Sequence, residues 1–377
     1  MNGKVSKGCD KNDEGRNEGS AGIVRRRASS RGGMVRLGLN LTYMGARPTL
    51  DMDSVQLAER LGYDVVWAAE AWGSDAVTVL TWVAARTRDI KVGSAILQIP
   101  ARTPAMTAMT AVTLNELSGG RFILGLGMSG PQVAEGWHGA PYGKPLARTR
   151  EYVSIVRQIV AREAPLEHSG EHYQIPASGT GTTGLGKPLR LMTHPTHALP
   201  IYLAALGPRN VALTAEIADG WIPTIFSPFR AADVFGQSLE SGFAASGEPD
   251  KVSRFDVAPT VAALITDDLA RARDALRPGL ALYIGGMGAR SRNFYNDLVC
   301  RYGYQQAAER IQDLYLAGDR LAAVGEVPDE LIDEVSLIGP PEMIRDRIDV
   351  WREAGVTTLI LTALDSHTLR SMPDLVG

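Results

Sequence analysis

From residue 35 onward the chain alternates short apolar runs of strand length with longer segments in which apolar positions recur every three or four residues. VRLGLNLTY (35–43) predicts a first strand. DMDSVQLAERLG then predicts a helix with Asp51 or Asp53 at its N-cap and Gly62 as its stop. DVVWAA (64–69) predicts a second strand, and SDAVTVLTWVAARTRD a helix entered through Ser74 or Asp75. IKVGSAILQI is a third strand. Thr103 followed by Pro104 opens the next helix, in which Ala105, Ala108 and Ala111 allow close approach to a sheet, and Gly119 ends it. RFILGLG is a fourth strand, apolar throughout because a barrel strand is covered on both faces.

The spacing loosens after residue 128. A long helix is expected from about Ala147 to Arg162. Residues 165–199 hold no helix or long strand, only EHYQIP as a short hairpin arm, and a stretch of that kind reads as an insertion, a lid or a binding loop. Regularity returns with PIYLAALG, PRNVALTAEIA, DGWIPT, a helix near 230–246 and FDVAPTVAALI. Helices fill most of 267–336, more than one strand-helix unit requires. GPPEMIRDRIDVWREAG and VTTLILTAL close the pattern with a helix and a strand. Strand and helix in strict succession predict an α/β fold, a (β/α)8 TIM barrel over residues 34–377 with a helical excursion before its last unit.

Composition narrows the function. With 45% hydrophobic and 21% charged residues the chain can bury a large core. A net charge of −3 argues against nucleic acid or an anionic membrane as partner. Only Cys9 and Cys300 are present, which excludes a disulfide framework or a cysteine-based metal site and favours the cytoplasm. Residues 1–33 are polar and Gly-rich, so we expect a disordered extension, with Met34 as a natural start. Arg25, Arg26 and Arg27 are followed by no apolar run that would make an export signal.

In such a barrel the chemistry gathers at the carboxyl ends of the strands. Those positions are Thr42 and Tyr43, Glu70 to Trp72, Ser94 to Gln98, Gly127 to Gly130, Ala204 to Asn210 and Pro223 to Phe226. In ALGPRNVAL a strand ends, Gly207 turns the chain and Pro208 starts a helix, so free backbone N–H groups and the helix dipole face whatever lies beyond, with Arg209 adding a cation. The same residues also read as an ordinary strand-to-helix turn. GTTGLGKP (181–188) falls short of a phosphate-binding P-loop, because Pro188 stands where a hydroxyl must hold magnesium and no helix follows. Lys187 can still face an anionic ligand. His194 and His197 lack a third ligand at metal spacing, and no metal is expected. Trp72, Trp137, Met128 and Phe226 are candidates for an apolar substrate cavity, or for packing.

GYDVVWAAEAWGSD, PARTPAM, LSGGRFILGLG, AALGPRNVALTAEIADGW and GPPEMIRDRIDVWREAGVTTLIL, in that order, resemble the luciferase-like flavin and deazaflavin oxidoreductases, in particular the actinobacterial branch that uses coenzyme F420. The resemblance runs from Met34 to about residue 365. It implies a deazaflavin ring across the strand ends, with Glu70 beside it, a bulge at Ser94 and Ala95 that often contains a non-prolyl cis peptide, and Leu97, Met128 and Ser129 as further contacts. It implies phosphate contacts at Leu206, Gly207, Arg209 and Asn210 and a homodimer through the helices of the first half; the substrate-pocket candidates Trp72, Trp137, Phe226 and Lys187 come from the residues themselves. Where the related F420-dependent glucose-6-phosphate dehydrogenases carry a catalytic His and Glu, this chain has Ala71 and Gly130, which argues against sugar-phosphate oxidation. Glu70, then Tyr43, remain as proton-transfer candidates. The expected activity is F420-dependent hydride transfer to or from a lipophilic substrate. The alternatives are an FMN-dependent monooxygenase, and a barrel without redox chemistry, either a lyase or a binding protein.

Overall fold

A computed structural model describes residues 34–41 and 49–377. The expectations for residues 1–33, Thr42 and Tyr43 therefore lie outside the described residues. Eight parallel strands alternate with helices: β1 (Arg36–Asn40), α1 (Met52–Arg60), β2 (Val65–Ala68), α2 (Ala76–Ala84), β3 (Lys91–Ser94, continued by Leu97–Gln98), α3 (Pro104–Leu117) and β4 (Phe122–Gly127). Then come α4 (Pro131–Gly136), α5 (Pro145–Ala161), β5 (Ile201–Leu203), α6 (Pro208–Ile217), β6 (Gly220–Trp221) and α7 (Ala231–Ser246). β7 is one strand interrupted at Pro259 (Asp256–Val257 and Thr260–Ile265). A helical excursion containing α8 (Leu269–Ala281), α9 (Phe294–Arg301) and α10 (Gln305–Leu316) precedes α11 (Pro341–Glu353) and β8 (Thr358–Ala363). A further short strand, Ser336–Gly339, pairs in parallel with the second half of β7.

The ring closes. β1 pairs with β2 and β8, and the order continues through β3, β4, β5 and β6 to the first half of β7. β8 then joins β7 by its register of Thr260 with Ile360, and by bonds from Thr357 N to Val257 O (3.0 Å) and Ile360 N to Pro259 O (2.9 Å).

Helix starts follow local chemistry. The carboxylate of Asp51 caps α1 through Ser54 N, Asp75 caps α2 through Thr78 N, and the Thr103 hydroxyl caps α3 through Met106 N with Pro104 behind it. Gly62 and Gly119 end their helices at positive φ (80° and 69°), conformations that disfavour a Cβ.

Strand alternation separates two cores. Leu37, Val66, Val92, Leu124 and Leu203 face the helices, whereas Val65, Trp67, Ile123, Tyr202, Ile222, Ala258 and Ile360 fill the barrel axis. Trp67 occupies so much of that axis that a Cβ on Gly38 or Gly93, on the neighbouring strands, would stand 2.6 or 2.5 Å from its indole. Below it, at the amino-terminal ends, Arg36 pairs with Asp256 at 2.7 Å, and the Tyr202 hydroxyl donates to the same carboxylate.

Residues 165–199 do lack long elements, holding only a two-strand hairpin of His168–Ser169 with Gln174–Ile175. Their contacts run along the flank of α5 and beneath α3. Glu151 of α5 accepts from the amides of Glu171, His172 and Tyr173, Arg162 donates to Leu191 O, and Glu116 accepts from Thr196. These bonds hold the segment against the helical shell rather than across the strand ends, because a connection from α5 to β5 begins and ends on the face opposite the chemistry.

Candidate active site

The alternation that places Trp67 on the axis places Asn40, Ala95, Gly127, Ala204, Thr224, Thr260 and Thr362 one layer above it, at the carboxyl ends. All are small or short. Two pairs among them are hydrogen-bonded, Asn40 with Thr362 (3.0 Å) and Thr224 with Thr260 (2.9 Å). Among the described residues Ala95, Ile96 and Ala204 remain partly open to solvent and form a floor of small side chains with Ile96 at its edge.

The floor owes its shape to a bulge between the two parts of β3. The Ala95–Ile96 peptide is cis, and Leu97–Gln98 resumes pairing with β4. Ser94 secures the turn: its hydroxyl donates to Gly125 O (2.8 Å) and accepts from Gly125 N (2.9 Å). Gly125 is obligatory there, since a Cβ would lie 1.8 Å from Ser94 O. Glu70, after β2, clasps the same bulge. Its amide donates to Ile96 O (3.2 Å), and its carboxylate accepts from Gln98 N (3.4 Å), Ala76 N (3.3 Å) and the Arg102 guanidinium (3.0 Å), which also pairs with Asp75. Burial pushes the Glu70 carboxyl above its ordinary range, and Arg102 opposes that push. Both oxygens are thus engaged in holding loops together.

Gln98, 2% exposed, extends the framework toward β4. Its side-chain nitrogen donates to Ser129 Oγ (2.8 Å), and its oxygen lies 2.7 Å from His138 Nε2. Ser129 adopts a left-handed backbone (φ 57°), and its carbonyl accepts weakly from Tyr142 (3.5 Å).

Across the mouth, α6 begins at Gly207 with no side-chain cap and with Pro208 in its first turn. Asn210 N and Val211 N turn back to Gly207 O, while Arg209 projects outward. Arg301, from α9, donates one nitrogen to Leu206 O (2.8 Å), and its other terminal nitrogen is buried without a partner. Burial holds its guanidinium below the ordinary arginine value, a state that an anion would relieve. Arg301 escaped sequence reasoning because the excursion that carries it has no motif. His138 escaped because a single His after an exposed Trp carries no signal.

The structure sorts the expected contacts. Ala95, Ser129, Gly207, Arg209 and Asn210 border the mouth, and Leu206 is half-buried beside it. Leu97 and Met128 point instead into the core beneath the helices, because they fall on the outward phase of their strands, and the Ser94 hydroxyl is spent on Gly125. Phe226 is also corrected as a cavity residue. A positive φ at Ile225 (51°) turns it outward, where it packs on Trp221, Phe235 and Trp351. Trp72 and Trp137 are exposed on loops of the mouth face, whereas Lys187 is exposed on the flanking segment. His194 meets Arg162 (3.1 Å), and among the described residues no group of three His, Cys, Asp or Glu could hold a metal ion.

The family described as luciferase-like monooxygenase matches residues 35–358. A Mycobacterium tuberculosis protein named "Putative coenzyme F420-dependent oxidoreductase Rv3520c" is 47% identical over 344 residues, 91% of this chain and 99% of its own length. A 5,10-methylenetetrahydromethanopterin reductase of Archaeoglobus fulgidus is 30% identical over 81% of this chain and 87% of its own. Among solved structures, the coenzyme F420-dependent tetrahydromethanopterin reductase of Methanopyrus kandleri superposes with a TM-score of 0.72 at 24% identity, covering 90% of this chain and 98% of the other.

Proposed function

The chain belongs to the luciferase-like monooxygenase family, and we propose that within it the protein is a coenzyme F420-dependent oxidoreductase acting on a small, lipophilic organic substrate. The observation that carries the reading is the partnerless buried nitrogen of Arg301 beside the uncapped start of α6, at the rim of a floor of small side chains. That combination fits a flat ring system with an anionic tail. Bound there, F420 supplies a two-electron hydride carrier. The amide end of α6, Arg209 and Arg301 would hold the tail and Ala95 and Ile96 would back the ring, while Glu70 with Arg102 keeps the bulge in place. Trp72 and Trp137, exposed on the mouth face, offer apolar surface to the substrate.

No helix among the described residues is long and apolar enough to cross a membrane. A cytoplasmic homodimer completes the proposal, supported by exposed Trp82, Met106, Met109 and Leu117 on α2 and α3.

Titration with F420 and with FMN, read by quenching of the six tryptophans, tests the reading. F420 binding is expected, and Arg301→Ala should weaken it about 10- to 100-fold, the worth of a charge-assisted hydrogen bond. Tight FMN binding without F420 binding would establish a flavin monooxygenase instead. Binding of neither would leave a barrel without redox chemistry.

A further inference from the structure

We infer that His138 exchanges the proton of the hydride-transfer reaction, held in one tautomer by the buried amide of Gln98; the inference rests on reading the mouth as a hydride-transfer site. The Gln98 nitrogen is committed to Ser129 Oγ at 2.8 Å, which turns the Gln98 oxygen toward His138 Nε2 at 2.7 Å. With the Gln98 amide in this orientation its oxygen only accepts, so Nε2 carries the hydrogen and the lone pair is on Nδ1. The backbone N–H of Gln98 donates to the Glu70 carboxylate (3.4 Å), which anchors the residue's main chain. His138 is half-exposed, so its proton is replenished from water. Glu70 has both oxygens engaged and is less free to act.

In the reductive direction, the hydride that reduced F420 would supply forms a C–H bond at a carbonyl or imine carbon, or, with a quinone such as menadione, an O–H bond at one oxygen while the displaced electrons collect on the other. The π pair moves onto the heteroatom, and that atom takes the Nδ1 proton of the His138 imidazolium, leaving neutral imidazole. Oxidation reverses each transfer. The ionisable groups on the elements around the relay are Glu70 and Arg102 beside the Gln98 amide, Glu135 and Tyr142 on the turn that carries His138, and Arg292 over the Tyr142 ring.

Two measurements decide it. Nitrogen NMR of the His138 ring should show the Nε2–H tautomer in the wild type and a mixture in Gln98→Ala. With menadione as electron acceptor, oxidation of bound reduced F420 should slow about 100-fold or more in His138→Ala. F420 affinity should be unchanged and the variant should remain folded, with a modest loss of thermal stability from the unpaired Gln98 oxygen and partial rescue of the rate by free imidazole. A folded His138→Ala or His138→Gln variant that keeps the wild-type rate overturns the inference, as does an Nδ1–H tautomer. Failure of the wild type to bind F420 would overturn the cofactor reading and this inference with it, whereas F420 binding together with an unchanged rate in His138→Ala would overturn this inference alone.

Discussion

At the scale of single residues, the mouth depends on groups that touch no substrate. Gly125 shows this most sharply: the Ser94 carbonyl occupies the place its Cβ would take, and the Ser94 hydroxyl bridges both of its backbone groups. Gly125→Ala must therefore push the bulge aside. Because the obstacle is backbone and not a flexible side-chain tip, the cost should reach or exceed the roughly 1–3 kcal/mol typical of overpacking. Thermal unfolding should show a large loss, and F420 affinity should fall with it. Ser94→Ala removes the hydroxyl but keeps the space, so a milder loss of about 1–2 kcal/mol is expected. Equal stability of Gly125→Ala and wild type in a melting experiment would contradict the packing described.

Among elements, the flank segment 165–199 shows how a long connection without helix or strand is kept in place. Burial pushes the Glu151 carboxyl up, but its bonds from His172 N, His168, Tyr173 N and Glu171 N outweigh this and hold it below the ordinary range. A carboxylate depressed in this way stabilises the docked segment above its unfolded pKa, about 4.3, and that contribution is lost as pH falls through the lowered value. The protection factors of residues 165–190, that is, exchange relative to the intrinsic rate at each pH, should therefore fall on acidification toward pH 3 in the wild type. Glu151→Gln should exchange faster already at pH 7, by the equivalent of about 2 kcal/mol, and should lack the acid-induced step. Unchanged protection in Glu151→Gln would show that other contacts dock the segment.

The same scale shows what the sequence reveals. Asp51, Asp75 and Thr103 announce their helices because capping is a local interaction between residues three apart. The turn at Gly207 and Pro208 is equally local. The phase of Met128, Leu97 and Phe226 was not legible, because whether a strand-end residue faces the axis or the shell depends on a bulge and on a positive φ set by other strands. Arg301 and the relay from Ser129 through Gln98 to His138 join positions 95 and 31 to 40 residues apart, and such contacts leave no periodic trace.

For the whole molecule, closing the ring brings a charged pair to the end of the axis opposite the mouth. Asp256 receives bonds from Tyr202 (2.7 Å), Thr358 (3.0 Å) and Thr357 and pairs with Arg36 (2.7 Å), so one carboxylate ties β1, β5, β7 and β8 together. It is 5% exposed, whereas the Arg36 side chain keeps 41% of its surface in solvent and also faces Asp64 at 3.5 Å. Asp256→Ala removes the buried acceptor shared by Tyr202, Thr357 and Thr358 and one of the two carboxylates facing Arg36, Asp64 remaining at 3.5 Å. It should cost about 1–3 kcal/mol, whereas adding Arg36→Met to Asp256→Leu should recover only part of it. The chemistry lies across the Trp67 layer, so F420 affinity measured well below the melting transition should be unaltered in both variants. Denaturant unfolding with parallel cofactor titration separates the two effects. A double variant as unstable as the single one would mean that the polar cluster closes the barrel by its geometry, not by compensating its own charge, and a drop in affinity would show that the two ends of the barrel are coupled.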